Sequence, residues 1–364
     1  MAALRYFFSL LLFPVGFVGG GGGIMAGAGI LAFLAGWVSP EQSTLIAFTG
    51  LIMPVVLLLN LLLVVYWAIK KSRWLIVPLL AILLNTGYLF SIFQFNFSSP
   101  RTEVAALKVV SYNVGNFTSW SKQPTRIPIG EYLRDNKTDI ACFQEYSESQ
   151  AIKADSLSRL LALPYYAVET VPGTSSFNSV IFSRYPIISY GHLPFTNTGN
   201  DALWADISRE DRIVRVINVH LQTTNFNRTR RQLDNPALQN VEIRQIQSVF
   251  YPIGKELKTN SEIRAQQADM VRQMIDTSSM PVIVCGDFNA PPSTYTYHRI
   301  KGKLQDSFRS RGKGYGYTFR GIHKFLRIDF ILYSKQFECI DYESPLLKWS
   351  DHKPVISKLT FVIQ

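Results

Sequence analysis

The stretch Pro281-Val282-Ile283-Val284-Cys285-Gly286-Asp287-Phe288-Asn289 decides how the chain is read. Its apolar body is short and β-branched, too short for a helix and right for a buried strand. The body then stops on a glycine, a carboxylate and an amide. Three other runs stop the same way: Leu107 to Tyr112 ends at Asn113, Ile140 to Phe143 runs into Gln144-Glu145, and Val214 to Val219 ends at His220. Apolar bodies with polar tips describe buried strands whose ends converge on one polar site. Residues i and i+2 of a strand share a face, so Asp287 and Asn289 are expected to point together, as are Arg327 and Asp329 in Arg327-Ile328-Asp329-Phe330. Between the strands, Ser261 to Asp276 places Ile263, Val271, Met274 and Ile275 on one helical stripe, and Tyr146 to Leu161 is a weaker helical candidate. Strands alternating with helices predict a layered α/β fold.

Outward from this domain the composition changes. Of the 63 Lys, Arg, Asp and Glu in 364 residues, only Arg5, Glu41, Lys70, Lys71 and Arg73 fall in the first 100. The net charge of +11 divides as +3 there and +8 in the rest. Such a chain is neither disordered, nor a fibrous repeat, nor a disulfide-stapled miniprotein. Three cysteines without CxxC spacing, Cys142, Cys285 and Cys339, read as core thiols.

A helix needs roughly 20 apolar residues to cross the hydrocarbon core. Three runs qualify by sequence, at residues 6–38, 45–69 and 74–95, which makes residues 1–95 an expected transmembrane anchor and 96–106 a linker. The first run contains Pro14 and the glycines Gly19 to Gly23, so its helix is expected to start late or to kink. Lys70, Lys71 and Arg73 between the second and third runs mark a cytoplasmic loop. Everything after Phe95 is therefore expected on the non-cytoplasmic side of an inner or plasma membrane. With Asn60 and Asn85 as the notable polar side chains of the last two runs, the region reads as an anchor rather than a transport pathway.

Taken in order, Ser111-Tyr112-Asn113-Val114, Phe143-Gln144-Glu145, Asn178 to Arg184 (NSVIFSR), Asn218-Val219-His220-Leu221, Gly286-Asp287-Phe288-Asn289, Arg327-Ile328-Asp329-Phe330 and Ser350-Asp351-His352 resemble the endonuclease/exonuclease/phosphatase superfamily. The likeness covers residues 107–364 and marks a membrane-anchored, bacterial-type member. It implies a four-layer α/β sandwich, two packed mixed β-sheets flanked by helices, and a divalent cation at the strand tips. It also implies roles. Glu145 would be the main metal ligand, with Asn113 and Asp351. Asp287 would activate the attacking water, Asn289, His220 and Asn113 would hold the phosphate, and Asp329 would orient His352, a transition-state partner.

Carboxylate and amide oxygens without a thiolate cluster suit a hard cation, Mg²⁺ with Mn²⁺ as the substitute, and disfavour zinc. The expected activity is phosphodiester hydrolysis of the nuclease or phosphodiesterase type. Two alternatives stay open: a sphingomyelinase-like or inositol-phosphate phosphatase-like hydrolase, and a membrane-tethered binding module without catalysis. No obligate protein partner is expected. The basic and aromatic segment Gln222 to Asn260 and the aromatic run Gly314 to Arg320 are the candidate selectors between a nucleic acid and a lipid headgroup.

Overall fold

The computed structural model describes residues 18–97, 106–119, 121–147, 153–168, 178–195, 198–224, 243–321 and 324–362. The chain divides into two compact units. One comprises the residues up to Leu89 with Thr224–Ala265 and Ser293–Tyr295; the other comprises Phe90–Thr223, Gln266–Pro292 and the chain from Thr296 on.

Among the described residues the first unit contains α1 (Val18–Leu34), α2 (Thr44–Leu51), α3 (Met53–Ile69), α4 (Ile76–Leu84) and α5 (Thr86–Ile92), the last continuing into the second unit. Small residues let α1 lie close to α4, because a Cβ added to Gly29 would stand 2.7 Å from that of Ala81. Two amides tie α1 in place. Asn60 Nδ2 donates to the carbonyls of Met25 (3.1 Å) and Val56 (2.9 Å), and Asn85 Nδ2 to those of Gly29 (2.9 Å) and Ala81 (2.8 Å).

The expected uninterrupted spans are corrected here. Among the described residues no single helix is long and apolar enough to cross a membrane. Two bent pairs meet that length and composition together: α2 with α3, bent by 72°, and Arg73–Leu84 with α5, bent by 51°. The first break falls at Ile52, ahead of Pro54, which lacks an N–H and restarts the helix at its first turn. The second falls at Asn85, whose backbone leaves the helical region while its amide bonds α1 and α4 carbonyls. The described part of the first run is α1; residues 6–17 lie outside the described residues, as does 98–105 of the linker. Phe93 to Phe95, expected at the end of the third span, is a strand.

The second unit is built from β1 (Phe93–Phe95), β2 (Leu107–Asn113), α6 (Arg126–Asp135), β3 (Ile140–Tyr146), α7 (Ala154–Leu161), β4 (Tyr165–Val168), β5 (Asn178–Ser183), β6 (Ile187–Pro194), β7 (Asp201–Arg209) and β8 (Arg212–His220). After α8 (Ile243–Thr277), which spans both units, come β9 (Val282–Asp287), α9 (Tyr295–Lys301), β10 (Gln305–Asp306), α10 (Ser307–Arg311), β11 (Lys313–Tyr315), β12 (Asp329–Tyr333), β13 (Phe337–Glu343) and β14 (Val355–Phe361). Two mixed six-stranded sheets result, ordered β13-β14-β2-β3-β5-β4 and β10-β12-β9-β8-β7-β6, with β1 and β11 in a separate ribbon.

The inner faces of the two sheets meet over Val109, Cys142, Ile181, Leu203, Val216, Cys285 and Leu359, all buried. Ile129 and Leu133 of α6 and Leu157 of α7 cover the outer face of the first sheet. Ala268, Val271 and Ile275 of α8 with Ile300 of α9 cover that of the second. The helix expected from Ser261 runs instead from Ile243, through Pro252, so the described part of the segment Gln222 to Asn260 is largely helical; residues 225–242 lie outside the described residues.

Candidate active site

Each sheet contains one parallel pair, β2 with β3 and β8 with β9. Parallel strands end on the same side, which aligns Asn113 with Gln144 and His220 with Asp287 across neighbouring strands. β12 runs antiparallel to β9 and starts where β9 stops, pairing Asp329 with Asp287. One buried amide chain joins the two sheets. Gln144 Nε2 donates to Asn218 Oδ1 at 2.6 Å, and Asn218 Nδ2 donates to the carbonyls of Phe143 (2.8 Å) and Val180 (3.0 Å).

Glu145 owes its position to a break in the ladder. The register between β3 and β5 shifts between Phe143 and Tyr146, and Glu145 takes a φ of 53°. That conformation is uncommon for a residue with a side chain and recurs at functional sites. Its carboxylate is 29% exposed, and its Oε1 accepts from Asn113 Nδ2 at 3.0 Å. The same amide nitrogen donates to Asp287 Oδ2 at 3.1 Å, so one amide gathers two carboxylates.

Asp287 and Asn289 do meet, through a turn rather than strand alternation. The strand stops at Asp287, Asn289 adopts a φ of 49°, and its backbone N–H donates to Asp287 Oδ1 at 2.8 Å. Asn289 Nδ2 donates to the Leu221 carbonyl at 2.9 Å. Arg327 and Asp329, expected to share a face, take different partners. Arg327 lies ahead of β12 and forms a buried pair with Asp306 at 2.6 Å. Asp329 instead accepts from His352 Nδ1 at 2.9 Å. The arginine follows the nearest buried carboxylate, because an unpaired charge in the core is far more costly than a bent chain.

His352 Nε2 lies 3.6 Å from Asp287 Oδ2, so the imidazole stands between two carboxylates. Burial opposes its charge, but Asp329 and Asp287 together hold its pKa well above the ordinary histidine value. Asp287 is pushed up to about 6, first by burial and then by the charge of Asp329, against the pull of His352, His220 and the Asn289 N–H. At neutral pH this is a carboxylate beside an imidazolium, poised for proton transfer. His220 is 3% exposed, and among the described residues neither ring nitrogen has a hydrogen-bond partner; its Nε2 is 3.9 Å from Glu145 Oε1. A buried imidazole is seldom left so, and an oxyanion or water would satisfy it.

Asp351 stands beside His352 with Oδ1 3.3 Å from Ser350 Oγ, and its charge helps raise the histidine. The donor set fits a hard divalent cation in chemistry, with Glu145 Oε and Asp287 Oδ converging on a single amide. That amide now turns its NH₂ to the carboxylates and its oxygen to the Gly115 N–H (3.1 Å); a cation there would require the opposite face of Asn113. Among the described residues, the acidic and histidine side chains that offer ligand atoms within 4.8 Å of one another are instead Asp287, Asp329 and His352. We read that group as a hydrogen-bonded chain, since His352 Nδ1 is already committed to Asp329.

Sequence reasoning named Ser350 in a motif and Thr318 and Arg320 in the aromatic run without assigning them a part in holding this chain, and it missed Lys353. Thr318 Oγ1 accepts the backbone N–H groups of Ile328 (3.0 Å) and Asp329 (3.1 Å). Ser350 Oγ donates to the Asn113 carbonyl at 2.7 Å and accepts from the His352 N–H at 3.1 Å. Arg320 Nη1 donates to the Ser350 carbonyl at 2.7 Å. Lys353, 8% exposed, sets its Nζ 4.4 Å from the Tyr317 ring centre, and burial lowers its pKa to about 8. Hydroxyls and a lysine carry no spacing signal for such contacts, so only the fold could assign them.

Comparison with known proteins bears on the family and the fold. The model of the Endonuclease/Exonuclease/phosphatase family matches residues 110–352, and a domain of unknown function (DUF8431) matches residues 17–92. No curated protein matches the chain. Among solved structures it is similar to an endonuclease/exonuclease/phosphatase from Beutenbergia cavernae DSM 12333, with 16% identity, a TM-score of 0.51, and coverage of 70% of this chain and 72% of that one. A humanized D. rerio TDP2 carrying 14 mutations is 16% identical, with a TM-score of 0.51 and coverage of 70% and 99%. At such identities the likeness is one of fold. The family match is of another kind: it takes in more than half of the chain, from β2 to His352, and by it the chain belongs to the endonuclease/exonuclease/phosphatase family.

Proposed function

We propose that the protein is a membrane-anchored phosphodiester hydrolase of the nuclease or phosphodiesterase type, dependent on a divalent cation, with its catalytic domain on the non-cytoplasmic side. The observation that carries the hydrolase reading is the Asp329–His352–Asp287 chain beside the unsatisfied His220. Asp287, with its pKa near 6, accepts the proton of the attacking water. His352, kept protonated by Asp329, donates to the charge that develops on the phosphoryl oxygens. His220 offers an unused ring N–H to the same group, and Asn289 and Asn113 offer amides. Glu145, with Asn113 and Asp351, would hold Mg²⁺ or Mn²⁺. Such a cation supplies charge neutralisation at the phosphoryl oxygens and orientation of the substrate. The anchor reading rests on the two bent apolar helix pairs and on Lys70, Lys71 and Arg73 between them.

The test is a panel on the full chain in detergent or lipid: a phosphodiester chromogen, plasmid DNA, RNA, sphingomyelin and inositol phosphates, each with Mg²⁺ and with EDTA. Cation-dependent cleavage of the chromogen and of a nucleic acid is expected. Cleavage of sphingomyelin or inositol phosphates alone would replace the substrate class. Activity that survives EDTA would remove the cation, and no turnover of any substrate would leave a binding module.

A further inference from the structure

The ribbon of β1 and β11 takes no part in either six-stranded sheet, and its outward face is unusual. From Phe93 to Phe97 exposure alternates with the period of a strand, placing Phe93 (39% exposed), Phe95 (68%) and Phe97 (91%) on one side. Across the ladder Phe93 pairs with Tyr315 and Phe95 with Lys313, so Tyr315 (37%) joins the same face. Phe325 (58%) adjoins it, its carbonyl accepting from Tyr315 Oη at 2.6 Å. Large aromatic side chains gathered in water are expensive, and a contiguous patch marks a contact.

Three features of this face select its occupant. First, β1 follows α5 without a break, so the aromatic strand starts where the last apolar helix ends. Second, from Ser307 to Ile328 the sequence carries six Lys and Arg and no Asp or Glu, and Arg309, Lys313 and Lys324 are exposed. Third, the aromatics are large and two of these cations adjoin them, Lys313 opposite Phe95 in the ladder and Lys324 next to Phe325 in the chain, which is the composition of a segment resting at the boundary between headgroups and acyl chains. We propose that the outward face of the β1–β11 ribbon, extended by Phe97 and Phe325, seats in the interface of an anionic lipid bilayer. This rests on the reading of the preceding helices as a membrane anchor.

The contact has a consequence for the site. The strand that carries Tyr315 leads within three residues to Thr318, whose hydroxyl sets the backbone of Asp329. Tyr317, whose ring stacks 6.2 Å from that of Tyr315, underlies Lys353, the neighbour of His352. A ribbon steadied by lipid therefore steadies the loop that orients the catalytic imidazole.

The test uses the full chain reconstituted in vesicles of equal phosphatidylcholine and phosphatidylglycerol. Single cysteines at Phe95→Cys and Phe325→Cys take an environment-sensitive fluorophore; the native Cys142, Cys285 and Cys339 are at most 1% exposed and do not compete. Leu62→Cys, on an exposed position of α3, reports the anchor, and Asp211→Cys, in the turn between β7 and β8, reports water. The expected result is blue-shifted emission and its loss to nitroxide-labelled lipid at 95 and 325, as at 62 and unlike 211, with a smaller loss in phosphatidylcholine alone. Quenching at 62 with 95 and 325 behaving like 211 overturns the proposal while leaving the anchor. No quenching at 62 removes the anchor and the proposal with it. Shielding that follows the protein-to-lipid ratio without nitroxide quenching points to a second copy, and shielding that requires an added oligonucleotide points to nucleic acid; either overturns it.

Discussion

Asp287 shows how far a single side chain depends on its surroundings. Its carboxyl moves to about 6 because it is buried and because Asp329 lies across the ladder, and these effects outweigh two histidines and a backbone N–H. The rate of hydrolysis should therefore fall as pH drops through about 6, where the carboxyl gains its proton and can no longer accept one. His352 moves upward as well, so the loss of its proton limits the rate on the alkaline side of its ordinary range. Asp329→Asn withdraws one charge from both groups. Both limbs of the kcat/KM profile should then shift to lower pH, a joint displacement that a merely structural defect would not produce. Asp287→Asn keeps the shape of the side chain and removes its basicity. It should lower kcat by about 10²- to 10⁴-fold, with the circular dichroism spectrum unchanged.

Among the elements, the junction of β8 and β9 is the most constrained. Gly286 has a φ of 144°, and a Cβ there would stand 1.9 Å from the Val219 carbonyl oxygen. Gly286→Ala must push β8 and β9 apart at the point where they align His220 with Asp287. Overpacking of this kind costs about 1–3 kcal/mol, and activity should fall by more than the lost stability explains, as read by thermal melting beside steady-state rates. The amide bridge between the sheets makes a parallel case. Asn218→Leu leaves the Phe143 and Val180 carbonyls without their donor, at about 1–3 kcal/mol for each buried group left unsatisfied. The strands themselves were readable, because apolar runs ending in polar residues leave a mark on the sequence. Where α8 begins was not, since Pro252 and Gly254 interrupt the helical pattern between Ile243 and Asn260. Nor were the breaks at Ile52 and Asn85, where a proline and a helix-to-helix amide act inside runs of uniform hydropathy.

At the scale of the molecule, the buried pair of Arg327 and Asp306 holds the second unit at its entry. Arg327 Nη1 also donates to the Ser91 carbonyl at 2.9 Å, and Tyr297 Oη donates to Asp306 Oδ2 at 2.7 Å. Burial alone would raise the Asp306 pKa, but the charge and hydrogen bonds of Arg327, with those of Tyr297 and the Phe308 N–H, hold it below the ordinary carboxylate range. A lowered carboxyl stabilises the fold above its unfolded value, about 3.9, and that stabilisation is lost as pH falls below it. Asp306→Asn should cost about 3–5 kcal/mol at neutral pH and flatten the acid dependence of the melting temperature. The orientation of the whole is tested by fusion to the C-terminus: alkaline phosphatase should be active there and a cytoplasmic fluorescent protein dark, and the reverse would overturn the topology.

The sequence by itself determined the apolar start, the α/β domain, the strand tips at Asn113, Glu145, His220 and Asp287, and the Ser350-Asp351-His352 segment. These are local properties: hydropathy, period and residue type along a few neighbours. Only the tertiary structure decided that Asp329 serves His352 while Arg327 turns to Asp306, that one Asn113 amide gathers Glu145 and Asp287, and that Thr318 and Ser350 hold the site. Those partnerships join residues far apart in the chain. They are settled by which buried charges and donors the two sheets bring within bonding distance, where the cost of leaving one unpaired exceeds any local preference.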